Sequence, residues 1–337
     1  MFTRDLPGAS SRLLIRVTVP LELKRDSHVS TIFTFWEPRD KVTPYLQLCR
    51  ETWDKRLADH EIVVLDYSNL GNYLAAGVFD LAALERVPLA MQKDAVMVAV
   101  LHRHGGLFMD MDTLIVDDIA PVLQTLRRTG VVMFAQHLAF VAARPGAALM
   151  TPWLDGVGKN LTRIANGETD PATVPWDYLG NAPLTSAYFD LLDRSRLLRM
   201  IRRSAIGRRC WPSASATPRT AFSGPMMGPT RAPLWKRAAR AIVGASFSDQ
   251  LIMLDRSSYG FIAESRDGTA IPISSKEQYL RFWFEEEGDT DKVLRPGTSV
   301  IGLHHGWTPA WYREFSRDEV LAHGCLLSRT LARLLDR

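Results

Sequence analysis

The sequence predicts an α/β fold, a Rossmann-like sheet flanked by helices, with helical and loop-rich additions toward the C-terminus. Residues 31–36 form a β-branched and aromatic run that is typical of a buried strand, and residues 61–65 predict a second strand. Pro44, between them, begins a helical pattern of apolar residues. A strand, a helix and a second strand in this order indicate a parallel sheet with helices on its faces.

Residues 89–102 predict a buried helix, because the segment is apolar on nearly every side. Gly105 follows this helix as a residue suited to a left-handed cap. The remaining periodicities predict strands at 13–23, 114–116, 131–135, 138–142, 251–254 and 299–303, and helices at 146–164, 189–203 and 318–337. Prolines and glycines at 171, 175, 180 and 183 predict loops.

Composition places the chain among ordinary globular proteins, with 337 residues, 46% apolar and 23% charged. The first 30 residues lack an apolar segment of signal-peptide length, and no run of about 18 apolar residues predicts a membrane span. Cys49, Cys210 and Cys325 are too few and too far apart for a disulfide framework or a metal knuckle. A reduced, cytoplasmic protein is therefore expected.

Positive charge is concentrated in one segment, Arg194–Arg240, which contains twelve Lys and Arg and no Asp or Glu. The rest of the chain has 29 basic against 37 acidic residues, so the net charge of +4 originates in this basic segment. Leu197 and Ile201 lie among its arginines, as in basic helices on anionic membrane surfaces. Nucleic acid is not expected as a partner, because no recognised motif accompanies the charge. A solvated arginine-rich helix and loop is the alternative interpretation.

The strongest indication of chemistry is a pair of carboxylates, Asp110 and Asp112, which follows a double glycine. In an extended segment, residues two apart point to the same side. Two close carboxylates repel each other unless a cation or a proton lies between them. Their hard oxygens suit Mn²⁺ or Mg²⁺ bound together with substrate phosphates. Taken alone, the pair is also compatible with a solvated acidic turn.

The spacing around this pair resembles that of the DXD-containing sugar-binding glycosyltransferases of family 32 and of the related capsular polysaccharide synthesis proteins. The matching positions are Trp36 at the end of a strand, Lys93-Asp94, Leu101, Gly105-Gly106, Phe108, Asp110 and Asp112. Residues 33–38 and Thr52-Trp53 also resemble the capsular group. The resemblance covers about residues 31–118.

This resemblance implies a GT-A fold with a mixed sheet, and transfer of a hexose from a nucleotide sugar, most often UDP-linked. Asp110 and Asp112 would hold Mn²⁺ or Mg²⁺ against the donor's diphosphate. Trp36 would stack on the base, and Asp94 would accept hydrogen bonds from sugar hydroxyls. Gly105 and Gly106 are counted among the donor-binding positions. Without the resemblance, Trp36 could be a core residue and Asp94 a charge favoured near a helix N-terminus.

A second part of the resemblance lies near the C-terminus, in the segment His304–Trp311. It is similar to the family's closing loop, and His305 and Trp311 fit the pattern. By this analogy the loop would cover the diphosphate, and the Trp311 indole would donate a hydrogen bond to it. A buried aromatic turn whose histidines have their hydrogen-bond partners within the protein is the alternative interpretation.

Three positions depart from the family pattern. Met97 stands where the family has an Arg, Lys93 where it has a Ser, and Ala310 where it has a Ser. One contact to a phosphate or sugar is therefore expected to be missing. Arg103 or a residue of the basic segment could replace it.

The predicted parts of the chain are an N-terminal extension with a strand (1–29), a nucleotide-sugar-binding core (30–170), an acceptor side with the closing loop (171–315) and a C-terminal helix (316–337). The predicted function is a metal-dependent hexosyltransferase that acts with retention on a glycan or lipid-linked acceptor in surface or capsular polysaccharide synthesis. Peripheral attachment of the basic segment at the inner face of the membrane would suit such an enzyme.

Two other classes of protein remain open. Phosphatases of the haloacid dehalogenase type have D-x-D-x-T at a strand end, but Thr113 comes one position early here and a helix and glycine turn precede the pair. A catalytically impaired sugar- or polyanion-binding protein with the same fold is suggested by Met97 and Ala310.

Overall fold

The structure is a computed structural model that describes residues 31–126, 129–134, 137–194, 251–254, 261–262, 275–285, 287–294 and 298–336. The strand predicted at 13–23 lies outside these residues, as does the basic segment beyond Arg194.

In the described part of the chain, the main sheet has six strands in the order β2-β1-β3-β6-β5-β7. They are β1 (Thr31–Phe35), β2 (Glu61–Leu65), β3 (Gly106–Met109), β5 (Val131–Phe134), β6 (His137–Ala143) and β7 (Leu251–Leu254). β1 is parallel to β2 and β3, β5 is parallel to β7, and β6 is antiparallel to both β3 and β5. The sheet is therefore mixed, with three adjacent parallel strands that end at one edge.

A smaller sheet has the order β4-β9-β8 and contains β4 (Thr113–Ile115), β8 (Phe261–Ile262) and β9 (Val300–Gly302). β4 is antiparallel to β9, and Thr113 pairs with Gly302. Because of this register, the residues that follow β9 lie beside the residues that precede β4. The pairing therefore brings two segments together that are almost 190 residues apart in sequence.

Helices cover both faces of the main sheet. They are α1 (Pro44–Arg56), α2 (Leu70–Tyr73), α3 (Leu81–Glu85), α4 (Leu89–His104), α5 (Ala120–Leu126), α6 (Met150–Ala165), α7 (Asn181–Arg194), α8 (Lys276–Leu280), α9 (Thr290–Val293), α10 (Ala310–Glu314), α11 (Arg317–Ala322) and α12 (Leu326–Asp336). The described residues also contain a 3₁₀ turn at Arg39–Lys41 and a π-helical turn at Arg281–Glu285. None of the described helices is long and apolar enough to cross a membrane.

The strands separate two apolar cores, because successive side chains of a strand point to opposite faces. On β3, Phe108 belongs to the core with α4, α6 and α7, whereas Leu107 and Met109 belong to the core with α1 and α12. All three side chains are fully buried. β3 is thus a central strand, and the residues just after it are held in place from both faces.

The predicted α/β architecture, a mixed sheet flanked by helices, is confirmed. Three predicted elements differ from the observed ones by more than two residues. α6 begins at Met150 rather than 146, and α7 begins at Asn181 rather than 189 because Pro183 lies in its first turn, where proline is tolerated. The C-terminal helix is two helices, interrupted at the extended residue His323. The division of the chain into four parts remains a prediction.

Candidate functional site

The candidate site lies at the edge where the parallel strands β2, β1 and β3 end. Trp36 follows β1, Asp66 follows β2 and Asp110 follows β3. α4 leads into β3, and its early residues Lys93 and Asp94 return to the same edge, as their contacts with the end of β3 show. In open α/β sheets, ligands bind outside the carboxyl ends of the strands. The site therefore has the position that the fold favours for a ligand.

Lys93 joins two of the predicted carboxylates. Its Nζ lies 2.8 Å from Asp94 Oδ1 and 2.9 Å from Asp110 Oδ1, and the three side chains are 14%, 10% and 25% exposed. Burial alone would lower the pKa of Lys93, but the charges of Asp110 and Asp94 outweigh it, and the pKa is raised. Burial raises the pKa of Asp94, while Lys93 opposes this shift. An ammonium group with a firmly held proton is thus part of the site.

Asp112 is held from the opposite side, by the segment after β9. The His305 N–H donates to Asp112 Oδ2 at 2.6 Å, and the Leu303 N–H donates to the Asp112 carbonyl at 3.1 Å. Burial, followed by repulsion from Asp110, raises the pKa of Asp112 to about 7, although the His305 N–H and Lys93 act against this shift. A cation beside the two carboxylates would relieve that repulsion.

The His305 ring is clamped between two other aromatic residues. Its Nδ1 lies 2.5 Å from the Tyr45 hydroxyl, and the two rings stack at a centroid distance of 5.7 Å. The Trp36 ring meets it edge-on at 4.9 Å. Burial, and then the charge of Arg313, lower the pKa of His305 to about 4, so the ring is neutral at physiological pH. Trp36 and His305, 269 positions apart, are therefore neighbours beside Asp112.

Trp36 has an indole N–H that is buried and makes no hydrogen bond to the residues that the structure describes. Its backbone N–H donates to the Leu65 carbonyl at 3.0 Å, which continues the pairing of β1 with β2. The backbone of Trp36 is therefore fixed, while its side chain retains an unused donor beside His305.

α1 fixes the strand that follows the carboxylate pair. The Trp53 indole donates to the Thr113 carbonyl at 2.6 Å, and the Ile115 N–H donates to Thr52 Oγ1 at 3.0 Å. Thr52 and Trp53 are fully or almost fully buried. Thr52 and Trp53 therefore fix the position of β4, which begins directly after Asp112. This gives a physical reason for their resemblance to the capsular polysaccharide synthesis proteins.

The two glycines of the motif have structural roles of their own. Gly105 and Gly106 have φ values of +66° and +104°. A Cβ on Gly105 would lie 2.7 Å from Pro145 N, and one on Gly106 would lie 2.7 Å from the Thr31 carbonyl oxygen. Gly106 begins β3, about 13 Å along the strand from Asp110, and Gly105 directly precedes it. The fold therefore accounts for both glycines, and their contact with a donor stays a prediction.

Trp311 and Met97 lie outside the group formed by Trp36, His305 and Asp112. The Trp311 side chain is 42% exposed, and its ring contacts Phe284, Tyr312, Phe315 and His323. Met97 is fully buried in the core beneath α4, so the position brings no charge to the site. The role predicted for the Trp311 indole stays a prediction.

Arg103 does not replace the missing family arginine. Its guanidinium donates to the Leu74 carbonyl, near the C-terminal end of α4. Among the residues that the structure describes, Lys93 is the cation beside the carboxylates, and the basic segment beyond Arg194 lies outside them.

The sequence did not reveal that the loop before α7 belongs to this site. A Cβ on Gly180 would overlap Asp94 Oδ2 and would lie 2.9 Å from Leu138 Cδ1. The Trp153 indole donates to the Gly180 carbonyl at 3.1 Å, and the charge of Asp177 contributes to the raised pKa of Asp94. No local pattern indicates the contact between residues 180 and 94, since it depends on tertiary packing.

A cavity of about 420 Å³ opens at the same edge, lined by Glu37, Pro38, Tyr67, Glu85, Leu89 and Gln92. The Tyr67 N–H donates to Glu37 Oε2 at 2.9 Å, and the Tyr67 hydroxyl donates to Gln92 Oε1 at 2.9 Å. Glu37 follows Trp36 and Gln92 precedes Lys93, so the cavity adjoins the carboxylate site. No sequence pattern indicated this cavity, although residues 33–38 belong to the family resemblance. The peptide between Glu37 and Pro38 is cis.

The carboxylate pair offers a place for a divalent cation. The described ranges contain no cluster of three or more His, Cys, Asp and Glu residues that could hold a metal ion. Two carboxylates are nevertheless the set that Mg²⁺ commonly uses together with substrate phosphates and water. Burial, and then repulsion from Asp110, raise the pKa of Asp112, and a cation bound between the two carboxylates would offset both effects. Asp110 and Asp112 therefore fit a cation whose other ligands come from the substrate.

Comparison with known proteins adds a family match. Residues 15–140 match the family described as "Capsular polysaccharide synthesis protein". This segment includes Trp36, Asp94, Asp110 and Asp112 but not His305. The predicted resemblance to capsular polysaccharide synthesis proteins is thereby confirmed, whereas the resemblance to family 32 rests on the motif alone.

A solved structure titled "PaToxG Glycosyltransferase" is similar to this chain at 16% sequence identity and a TM-score of 0.34, over 63% of this chain and 87% of that chain. No curated protein matches the chain in sequence.

Proposed function

We propose that this protein is a glycosyltransferase that takes a sugar from a nucleotide diphosphate donor at the Asp110–Asp112 edge of the sheet. The observation that supports this function is the meeting of Asp110, Asp112, Lys93 and His305 at the carboxyl edge, in a chain whose residues 15–140 match a capsular polysaccharide family. Two acidic groups, one buried ammonium and a neutral imidazole suit a ligand that consists of a cation and a diphosphate.

Asp110 and Asp112 would hold Mn²⁺ or Mg²⁺. When bound, the cation would neutralise charge on the departing nucleotide diphosphate. Side chains of the protein would donate hydrogen bonds to the ligand. Tyr45 can donate its hydroxyl hydrogen to His305 Nδ1, which leaves the neutral ring with its proton on Nε2, available to an oxygen of the ligand. The unused Trp36 indole N–H is a second donor beside it.

The cavity beside the site would take an uncharged part of the donor. Its lining includes the carboxylates of Glu37 and Glu85 and no Lys or Arg, so a diphosphate would be repelled from it. Hydroxyl groups of a ribose or a sugar can donate to carboxylates, and Leu89, Pro38 and the Tyr67 ring offer apolar surface. The diphosphate would then lie on the Lys93 side, with the organic part of the donor in the cavity.

The finer features of the activity are part of the same proposal. A UDP-linked hexose as donor, transfer with retention, and a glycan or lipid-linked acceptor follow from the family resemblance. The acceptor would belong to surface or capsular polysaccharide synthesis. The basic segment Arg194–Arg240 would hold the protein at an anionic membrane surface.

No observation favours a phosphatase. Thr113, the residue that would correspond to the threonine of that motif, is fully buried in β4 behind α1. Its side chain therefore lies away from the solvent-facing part of the site.

The experiment is a panel of nucleotide sugars incubated with the protein and Mn²⁺, with release of the nucleotide diphosphate as the readout. We expect release with at least one donor, and a loss of about a hundredfold in the Asp110→Asn and Asp112→Asn variants. Asp54→Asn is the matched control, because Asp54 is an exposed carboxylate paired with Arg50 on α1. Equal release by wild type and both site variants would contradict the proposal.

A further inference from the structure

Lys93 contacts Asp110, the same carboxylate that a bound divalent cation would need as a ligand. Its Nζ lies within 3 Å of one oxygen of Asp110 and one of Asp94, and 3.5 Å from the Leu138 carbonyl. With 14% of its side chain exposed, the ammonium has little contact with water. The Lys93 ammonium therefore supplies positive charge to both Asp94 and Asp110.

The ammonium and a divalent cation cannot both neutralise Asp110 without cost. They repel each other strongly at separations of a few ångströms, and the repulsion is little screened where water is excluded. A cation that binds between Asp110 and Asp112 therefore has to displace Lys93 Nζ from Asp110. Lys93 can move because its ammonium ends a flexible four-carbon stem.

The displaced ammonium still needs a partner, since a buried charge without one is strongly unfavourable. Asp94 remains within reach and satisfies part of this need. Gly180 and Leu138 close the space behind Asp94, which limits where the side chain can turn. The open direction is toward the ligand that arrives with the cation, and a diphosphate offers oxygens of the required charge.

We propose that Lys93 couples the binding of the cation to that of the diphosphate, by occupying Asp110 until both are present and then pairing with a phosphate oxygen. This inference rests on the proposed function and makes Lys93 a specificity-determining residue of its donor site. The cation alone binds weakly because it has to displace Lys93. The cation and the diphosphate together bind tightly because Lys93 gains a new partner.

The test is calorimetric titration of Mn²⁺ into the whole protein, with and without UDP, for wild type, Lys93→Met and Lys93→Arg. Lys93→Met is expected to bind Mn²⁺ alone about tenfold more tightly or better, and to lose most of the gain in Mn²⁺ affinity that UDP produces in wild type. Lys93→Arg keeps the charge and should keep the weak binding of Mn²⁺ alone. Equal Mn²⁺ affinities and an equal UDP effect in wild type and Lys93→Met would overturn the inference and leave the proposed function standing.

A second pair of variants covers the case in which Lys93→Met fails to fold, since removing one partner of a buried ion pair is costly. Lys93→Met combined with Asp94→Asn removes both charges and should still bind Mn²⁺ alone more tightly than wild type. Asp94→Asn by itself keeps Lys93 and should bind Mn²⁺ more weakly. Binding of Mn²⁺ by the double variant but not by wild type supports the inference. Absence of Mn²⁺ and UDP binding in every variant and in wild type would overturn both the inference and the proposed function.

Discussion

At the scale of one residue, opposing interactions act on the charge of the Asp112 carboxylate. Its carboxylate accepts a hydrogen bond from the His305 N–H, yet burial and the neighbouring Asp110 disfavour its charge. The ordinary pKa of such a group is 3.8, and here it is raised to about 7. The folded protein thus holds a proton at Asp112 in a pH range where the unfolded chain has released it.

This balance predicts a pH-dependent loss of stability. Because the folded-state pKa lies above the unfolded value, the folded state binds more protons between about pH 4 and pH 7, and the free energy of unfolding falls as the pH rises through this window. Urea unfolding at pH 4.5 and pH 7.5 should show wild type losing stability relative to Asp112→Asn as the pH rises. Saturating Mn²⁺ with UDP should reduce this difference. A difference between the two proteins that does not change with pH would contradict the assignment.

Tyr45 is a positioning residue for His305. Tyr45→Phe removes the hydroxyl that contacts His305 Nδ1 and should cost about 1 kcal/mol in the free energy of unfolding. We expect Mn²⁺-dependent UDP binding to weaken about tenfold, because the ring loses the contact that orients it. Calorimetry measures the binding, and the ¹⁵N shifts of His305 report the change in its tautomer.

The matched control for Tyr45→Phe is Tyr312→Phe. Tyr312 is equally buried and its ring contacts the Tyr45 ring, but its hydroxyl lies 3.0 Å from Ser328 Oγ rather than on His305. This variant should lose similar stability but keep its UDP affinity. If both variants weaken UDP binding equally, the effect belongs to the fold and not to His305.

At the scale of elements, the turn between α4 and β3 places the carboxylates. β3 can pair with β1 only because the chain turns sharply at Gly105 and Gly106, where side chains would collide with neighbouring backbone. Asp110 is then held at the far end of β3, where its N–H donates to the Ala139 carbonyl at 2.9 Å. The glycines act on the site through the register of the sheet.

Gly106→Ala should therefore destabilise the protein more than a glycine substitution elsewhere. Gly106 combines a φ of +104° with a Cβ position 2.7 Å from the Thr31 carbonyl, and we expect a cost of about 2–4 kcal/mol in the free energy of unfolding. Gly167→Ala is the control, since Gly167 has a φ of +73° but nothing within 4 Å, and it should cost about 1 kcal/mol. Denaturant unfolding measures both. Equal costs would mean that β1 and β3 can separate to accept the extra methyl group.

Local patterns predicted much of the element order. The strand at Glu61–Leu65, the long helix before Gly105 and the strands at β5 and β6 follow from apolar periodicity, which depends on neighbours in sequence. The start of α7 was predicted at residue 189 instead of Asn181, because Pro183 suggested a loop although it lies in the tolerated first turn. Periodicity indicates which face is buried but not which distant segment covers it.

At the scale of the whole molecule, the site depends on contacts that no local pattern contains. Tyr45 meets His305 across 260 positions, and the His305 N–H reaches Asp112 across 193. The motif predicted Asp110, Asp112, Asp94 and Trp36 as members of one site, and the structure brings them to one edge of the sheet. Lys93 was noted beside Asp94 and as a departure from the family's Ser, but no role was predicted for it, because its role depends on where the end of β3 lies.

The smaller sheet joins the carboxylate motif to residues near the C-terminal end of the described chain. Residues 15–140 match the capsular family, yet Asp112 depends on β9 and on the residues that follow it. The proposed donor site is therefore completed by the C-terminal part of the chain.

The most direct measurement is a crystal structure with Mn²⁺ and UDP, read by the anomalous signal of manganese. We expect a single manganese peak between the carboxylates of Asp110 and Asp112, with the diphosphate beside it and the Lys93 ammonium on a phosphate oxygen. UDP bound elsewhere, or manganese with no contact to either carboxylate, would contradict it.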